Sequence, residues 1–193
     1  VGTVLLNITM SIDGFVAGPD VSVEHPMGKG GERLHEWLFN DDADREVDAG
    51  VQRDLSASTG AVVLGRRTFD VGVGLWKDTP FPAPSFVLTH EEREELPMTS
   101  GTFTFVSDGL ESAIRQAGEA AKEKNVLVMG GADIAEQLVR AGLVDEIRLQ
   151  LAPVLLGTGV RLFDRLAGDR VELERTFMAG SARVTHLRFR VLS

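Results

Sequence analysis

The stretch Val126-Leu-Val-Met-Gly-Gly-Ala-Asp-Ile-Ala-Glu-Gln-Leu138 decides the fold class of this chain. Val126 to Met129 is a short apolar run of the kind that forms a buried strand, and Ile134, Ala135 and Leu138 then recur at helical spacing. The period changes at Gly130-Gly131. Glycine permits a sharp turn and leaves no side chain between its amide and a ligand. The helix that starts at Ala132, Asp133 and Ile134 is therefore open to an anionic group such as a dinucleotide pyrophosphate. A tight strand-to-helix connection with no ligand would use the same residues.

A second stretch, Ala61-Val-Val-Leu-Gly-Arg-Arg-Thr-Phe69, repeats the arrangement. After the apolar strand come Gly65, then Arg66 and Arg67 with forked donors suited to phosphate oxygens, then Thr68 with a hydroxyl at the helix start. A solvated basic turn capped by Thr68 is the plainer reading. Two such turns in one chain favour a phosphate-bearing ligand held between them.

Outward from these turns the chain alternates strand and helix, which indicates parallel pairing. Thr3 to Met10 reads as a central strand, and Ser85 to Thr89 and Thr104 to Val106 as further buried ones. Ser11 to Gly31 is rich in glycine and reads as a long loop covering the active site. Glu32 to Phe39 suggests a short helix with Leu34, Trp37 and Leu38 inward. A second helix is expected from Asn40 or Asp41 towards Ser56, with Asp41, Asp42 and Asp44 suiting its dipole better than a metal. Asp108 and Glu111 have capping-box spacing before a helix running to about Lys124. From Asp145 the helices stop, and Val171 to Phe177 and Arg183 to Leu192 read as strands joined by a turn at Ala179-Gly180-Ser181. The expected fold is a single-domain α/β protein: a mixed, mostly parallel sheet flanked by helices, with antiparallel C-terminal strands.

Composition narrows the chemistry. A formal net charge of −9 argues against nucleic acid as a partner, because duplex binding relies on many cationic contacts to phosphate. With no cysteine, disulfides, thiolate catalysis and cysteine-ligated metal centres are out, so redox work would need a bound organic cofactor. No apolar run reaches the roughly 20 residues of a membrane helix, and a cytoplasmic location is the default expectation. The four histidines, at 25, 35, 90 and 186, show no metal-ligand spacing, and His186 reads as a surface or satisfied structural residue. Signatures of P-loop, serine hydrolase and zinc protease chemistry are missing from the sequence.

Taken in order, Met10-Ser-Ile-Asp-Gly-Phe-Val-Ala-Gly18, Gly65-Arg-Arg-Thr68, Gly130-Gly-Ala132, Gly142-Leu-Val-Asp-Glu-Ile-Arg148 and Pro153-Val-Leu-Leu-Gly157 resemble the dihydrofolate reductase-like superfamily. Within it the chain is more similar to the reductase domain of bacterial riboflavin biosynthesis than to dihydrofolate reductases proper. The resemblance implies NADPH as cofactor. Gly65, Arg66, Arg67 and Thr68 would hold its phosphates from one side, and Gly130, Gly131, Ala132, Asp133 and Ile134 from the other. Thr89 and His90 would lie at the adenosine 2′-phosphate, although Glu91, Glu92, Glu94 and Glu95 follow closely and would repel it.

By the same resemblance, Ser11, Asp13 and Gly14 match the family's Ser-Leu-Asp-Gly loop at the nicotinamide end, where Val16 would contact the ring through its backbone. Asp13 would orient substrate as the catalytic hydrogen-bonding group, or would simply brace the loop. Trp37 would stack on a planar heterocycle, or would belong to the core. Dihydrofolate reductases place a carboxylate on this helix, whereas an apolar residue such as Leu34 stands there in this chain, so folate reduction is not expected. The implied substrate is a pyrimidine bearing a ribosylamino phosphate, for which Lys29 and Arg33 are the available cations, Lys29 also reading as a solvated surface residue. A dihydrofolate or other pterin reductase and a non-catalytic nucleotide-binding protein are the alternatives. The resembled reductases are dimers, which makes a homodimer the expected assembly.

Overall fold

In the computed structural model, which describes residues 2–39, 45–166, 168 and 170–192, the strands expected from the sequence join in one nine-stranded sheet. In chain order the strands are β1 (Val4–Ser11), β2 (Phe15–Ala17), β3 (Thr59–Gly65), β4 (Ser85–Leu88), β5 (Leu96–Pro97), β6 (Thr102–Val106), β7 (Asn125–Met129), β8 (Glu146–Ala152), β9 (Val160–Arg161), β10 (Glu172–Gly180) and β11 (Thr185–Leu192). The helices are α1 (Arg45–Ser58), α2 (Arg66–Trp76), α3 (Leu110–Ala121) and α4 (Ala132–Arg140), with a 3-10 helix at Gly31–Phe39. The order across the main sheet is β10-β11-β8-β1-β7-β3-β4-β6-β5. Strands β8, β1, β7, β3, β4 and β6 run parallel, while β5 at one edge and the β10–β11 hairpin at the other are antiparallel.

The central strands are apolar at successive positions because both faces of the sheet are covered. Leu6, Ile8, Ala61, Val63, Val126 and Val128 point to the face that packs on the alanines of α3 and on Ile134 and Leu138 of α4. Leu5, Val62, Leu64 and Leu127 point the other way, onto Leu55 of α1 and Phe69 of α2. The two-residue alternation of a strand thus divides one run between two cores. Leu127 is 1% exposed, and burying a side chain of its kind contributes on the order of 2 kcal/mol.

Several local expectations are corrected. The long loop contains β2, which pairs antiparallel with β9, because Phe15 and Val16 have apolar surface to bury there. The helix at Gly31–Phe39 is 3-10, so its side chains repeat every three residues; Gly31, Leu34 and Trp37 are buried and Leu38 is 40% exposed. The acidic positions 41, 42 and 44, and the expected helix start at 40 or 41, lie outside the described residues. No capping box forms on α3: its N-cap is Gly109, at φ 107°, and Asp108 accepts from the Ser112 hydroxyl instead. That helix ends at Ala121, short of Lys124. The hairpin turn starts two residues later than expected, at 181–184, with Ser181 N donating to Val184 O.

Candidate active site

Two adjacent parallel strands, β3 and β7, each run into a helix, so the N-termini of α2 and α4 open side by side at the carboxyl edge of the sheet. Ligands of open α/β sheets bind at this edge. Neither helix has a side-chain cap: Gly65 is the N-cap of α2 and Gly131 that of α4. Thr68, expected as a cap, lies inside α2 and turns across to Gly130. A Cβ on Gly130 would stand 3.0 Å from Thr68 Cγ2, and one on Gly131 3.3 Å from Thr68 Oγ1 and from Ile134 Cγ2. Both glycines have positive φ, 67° and 81°, so a side chain at either would be strained as well as crowded. The first-turn amides have no intrahelical acceptor, and this bare backbone cradle fits a pyrophosphate.

A cleft of about 1060 Å³ runs over these turns and inward beneath the 3-10 helix, within the range that holds sizeable ligands. Gly65, Arg66, Arg67, Thr68, Thr89 and His90 all line it. So do Gly130, Gly131, Ala132, Asp133 and Ile134 from the second turn, with Val16 and Trp37. Ala17, Val21, Pro26 and Met27 also line it, so the loop after β1 does cover the cleft.

The outer end is charged and its charges are paired. Arg66 Nε donates to both carboxylate oxygens of Asp70, at 2.8 and 3.0 Å, and its Nη1 to Glu91 Oε2 at 3.0 Å. Arg67 Nη2 donates to the carbonyl of Val21 at 3.3 Å, fastening the covering loop to α2. Asp133 pairs with Arg165, a cleft residue the sequence reading missed, at 3.1 Å. Thr89 Oγ1 accepts from the amide of Glu91 at 3.1 Å, which sets the position of that acid.

The inner end is polar without charge. Asn7 and Thr9 of β1, His35 and Trp37 of the 3-10 helix, Gln52 of α1 and Gln150 of β8 line it. Gln150 Nε2 donates to Asn7 Oδ1 at 2.9 Å. Burial lowers the His35 imidazole to about 4, so it is neutral at pH 7. His35 Nδ1, Trp37 Nε1 and Gln150 Oε1 are buried without a protein partner, an uncommon condition that marks where polar atoms of water or ligand complete the network. Beneath them His186, reached edge-on by Trp37 at 5.1 Å between ring centroids, bonds Asp48 Oδ1 at 2.8 Å. It is a buried structural histidine rather than a surface one. The acids of the 3-10 helix do not enter the cleft: Glu32 is exposed, and Glu36 is engaged by Arg33 on the surface.

Four of the substrate-side expectations fall outside the cleft. Asp13 Oδ1 accepts from Ser11 Oγ at 2.7 Å and from Leu156 N at 3.1 Å, while its Oδ2 accepts from Gly157 N at 2.7 Å. These bonds, that from Ser11 foremost, hold its carboxyl down to about 2. The geometry makes Asp13 a brace between two loops. Ser11 is fully buried, its hydroxyl also accepting from Phe15 N at 2.9 Å. Arg33 points to Glu36 at the surface, and Lys29 Nζ donates to Asp20 at 2.8 Å. Sequence reasoning missed Asn7, Gln52, Gln150 and Arg165; for Asn7 and Gln150 the visible signal was a polar residue within an otherwise apolar strand, as in Leu6-Asn7-Ile8 and Leu149-Gln150-Leu151.

Comparison with known proteins agrees with this fold. The chain is 26% identical over 184 residues to YwjB of Bacillus subtilis, itself uncharacterized, covering 94% of this chain and 95% of that one. Among solved structures, a Shewanella sp. PV-4 protein provisionally assigned to riboflavin biosynthesis superposes with a TM-score of 0.73 at 22% identity, covering 99% of both chains. The diaminohydroxyphosphoribosylaminopyrimidine deaminase/5-amino-6-(5-phosphoribosylamino)uracil reductase of Thermotoga maritima gives 0.63 at 16% identity, over 99% of this chain and 57% of that one. Dihydrofolate reductase from Enterococcus faecalis, complexed with NADP(H), gives 0.61 at 14% identity over 100% and 98%. These likenesses establish a dihydrofolate reductase-like fold. The profile of the RibD C-terminal domain matches residues 2–182, and with nearly its whole length inside that match the chain belongs to the RibD C-terminal domain family.

Proposed function

We propose that this chain is an NADPH-dependent reductase whose substrate is the ribosylaminopyrimidine phosphate for which the Thermotoga enzyme is named. The observation that carries the reading is the pair of uncapped helix starts meeting over one cleft beside an uncharged inner end. The turns at Gly65–Thr68 and Gly130–Ile134 would hold the pyrophosphate on backbone amides, and Val16 would border the nicotinamide. When bound, NADPH would supply the hydride from nicotinamide C4 to the imine carbon of the opened sugar, the nitrogen taking up a proton from solvent to give the amine. Trp37 would present its ring and N–H to the heterocycle, and Gln150 Oε1 would accept from one of its N–H groups. The loop tied down by Arg67 and braced by Asp13 would exclude water from the reacting carbon.

Folate is disfavoured because no carboxylate faces the inner end among the described residues. A second reading, reduction of a related heterocycle without a phosphate, is favoured by Lys29 and Arg33 being paired elsewhere. We also propose a cytoplasmic homodimer: edge strand β10 exposes Leu173 and Met178, apolar surface a second copy would cover, and light scattering would read its mass. No helix among the described residues is long and apolar enough to cross a membrane.

The test is NADPH oxidation followed optically with the ribosylaminopyrimidine phosphate, its dephosphorylated form and dihydrofolate. Turnover is expected with the first and little with dihydrofolate. Equal or faster turnover of the dephosphorylated form would select the second reading. Cofactor binding with no turnover of any substrate would select a nucleotide-binding protein.

A further inference from the structure

We infer that Glu91 is the residue that sets the choice between NADPH and NADH, by competing with the 2′-phosphate for Arg66. The inference rests on reading the cleft as a nicotinamide dinucleotide site. Arg66 is the cation at its outer end, and two carboxylates from different elements already engage it. Asp70, one turn along α2, takes the Nε edge through both oxygens, and Glu91, in the loop after β4, takes Nη1. All three line the cleft, as does His90 beside Glu91.

The charge count decides what such a group can accept. One guanidinium against two carboxylates leaves a local charge of −1, and a phosphomonoester brings about −1.5 to −2 more. A 2′-phosphate placed on Arg66 would therefore meet net repulsion until Glu91 swings away. A ribose hydroxyl meets the opposite situation, since it can donate to the Glu91 carboxylate just as an acidic residue receives the ribose of NADH in other dinucleotide sites. The neighbouring arginines are directed to other partners. Arg93 lies over the rings of Phe105 and Phe69, at 4.7 and 5.8 Å from their centroids, and Arg67 is turned to Val21.

Glu91 is free to move in a way that Asp70 is not. Its side chain is 73% exposed and it reaches Arg66 through one oxygen, so the pair exchanges readily with solvent. Asp70 takes the Arg66 Nε–H between its two oxygens within the same helix and keeps the guanidinium aimed at the cleft. Asp70 thus orients the cation and Glu91 occupies it. The consequence is an NADPH preference held below what Arg66 would give once the acid is removed.

Titration calorimetry at low ionic strength, with NADPH and NADH on the wild-type chain and on Glu91→Gln and Glu92→Gln, tests this. Glu91→Gln is expected to tighten NADPH about tenfold while NADH stays within about threefold or weakens, the gain shrinking as salt is added. Glu92→Gln removes the same charge without releasing Arg66 and should shift NADPH by less than about twofold, on the scale of a screened surface charge. Equal gains for both dinucleotides, equal gains from both variants, or no gain would overturn the role of Glu91. Failure of the folded wild-type chain to bind either dinucleotide would instead overturn the reading of the cleft on which it stands.

Discussion

The two ends of the cleft are built by different means. At the outer end the binding surface is main chain: two strand-to-helix turns, each within one short run of sequence, present amides that glycine keeps bare. At the inner end the surface is side chain, assembled from β1, the 3-10 helix, α1 and β8 across more than 140 positions of the chain. The first kind of site depends foremost on its glycines. The second depends on each polar atom finding a partner, and three of its buried atoms have none in the protein.

This contrast is tested most severely at Gly131. Gly131→Val would put a branched side chain at φ +81° against Thr68 and Ile134, a strain of about 1–3 kcal/mol before any ligand is considered. Dinucleotide binding by calorimetry should fall at least about 100-fold, more than any single outer-end side chain contributes. A folded variant that bound normally would show that the outer end is not a backbone site. A smaller effect is expected at the inner end from Trp37→Phe, which keeps the ring and removes the N–H. KM for the heterocycle should rise about three- to tenfold, the scale of one neutral hydrogen bond, with NADPH affinity unchanged. An unchanged KM would make Trp37 core only.

The smallest expected effect is at the brace. The folded Asp13 carboxyl lies at about 2 against an ordinary 3.8, so its stabilising contribution is complete above the ordinary value and is lost as pH falls towards the folded one. Asp13→Asn should lower Tm by a few degrees at neutral pH, and the gap should close between about pH 4 and pH 2. A gap that persisted at pH 2 would mean that the charge of Asp13 is not what holds the two loops.

The same division explains what could be read from the sequence. The turns at Gly65 and Gly130 were legible because strand, glycine and helix are contiguous, and period alone exposes the change. The central strands were legible because a doubly covered sheet writes itself as unbroken apolar runs, as in Val126–Met129. The role of Asp13 was open, since an Asp before Gly serves a catalytic loop and a braced loop equally well, and only the amides of Leu156 and Gly157 distinguish them. Trp37 gave no sign that His186, far away in sequence, would lie against it. Lys29 and Arg33 were offered as phosphate ligands on charge alone, and their acidic neighbours Asp20 and Glu36 engage them first. Strand β2 was hidden because its partner β9 follows more than 140 residues later.

The contact between Thr68 and Gly130 has a consequence for substitution. The two strand-to-helix turns lie 62 positions apart, yet the methyl of one stands 3.0 Å from where the other would carry a Cβ. Enlarging position 130 would require Thr68 to give way, and the left-handed backbone at Gly130 would still resist the change. Substitutions at the two positions are therefore coupled through one contact, however far apart they stand in the chain.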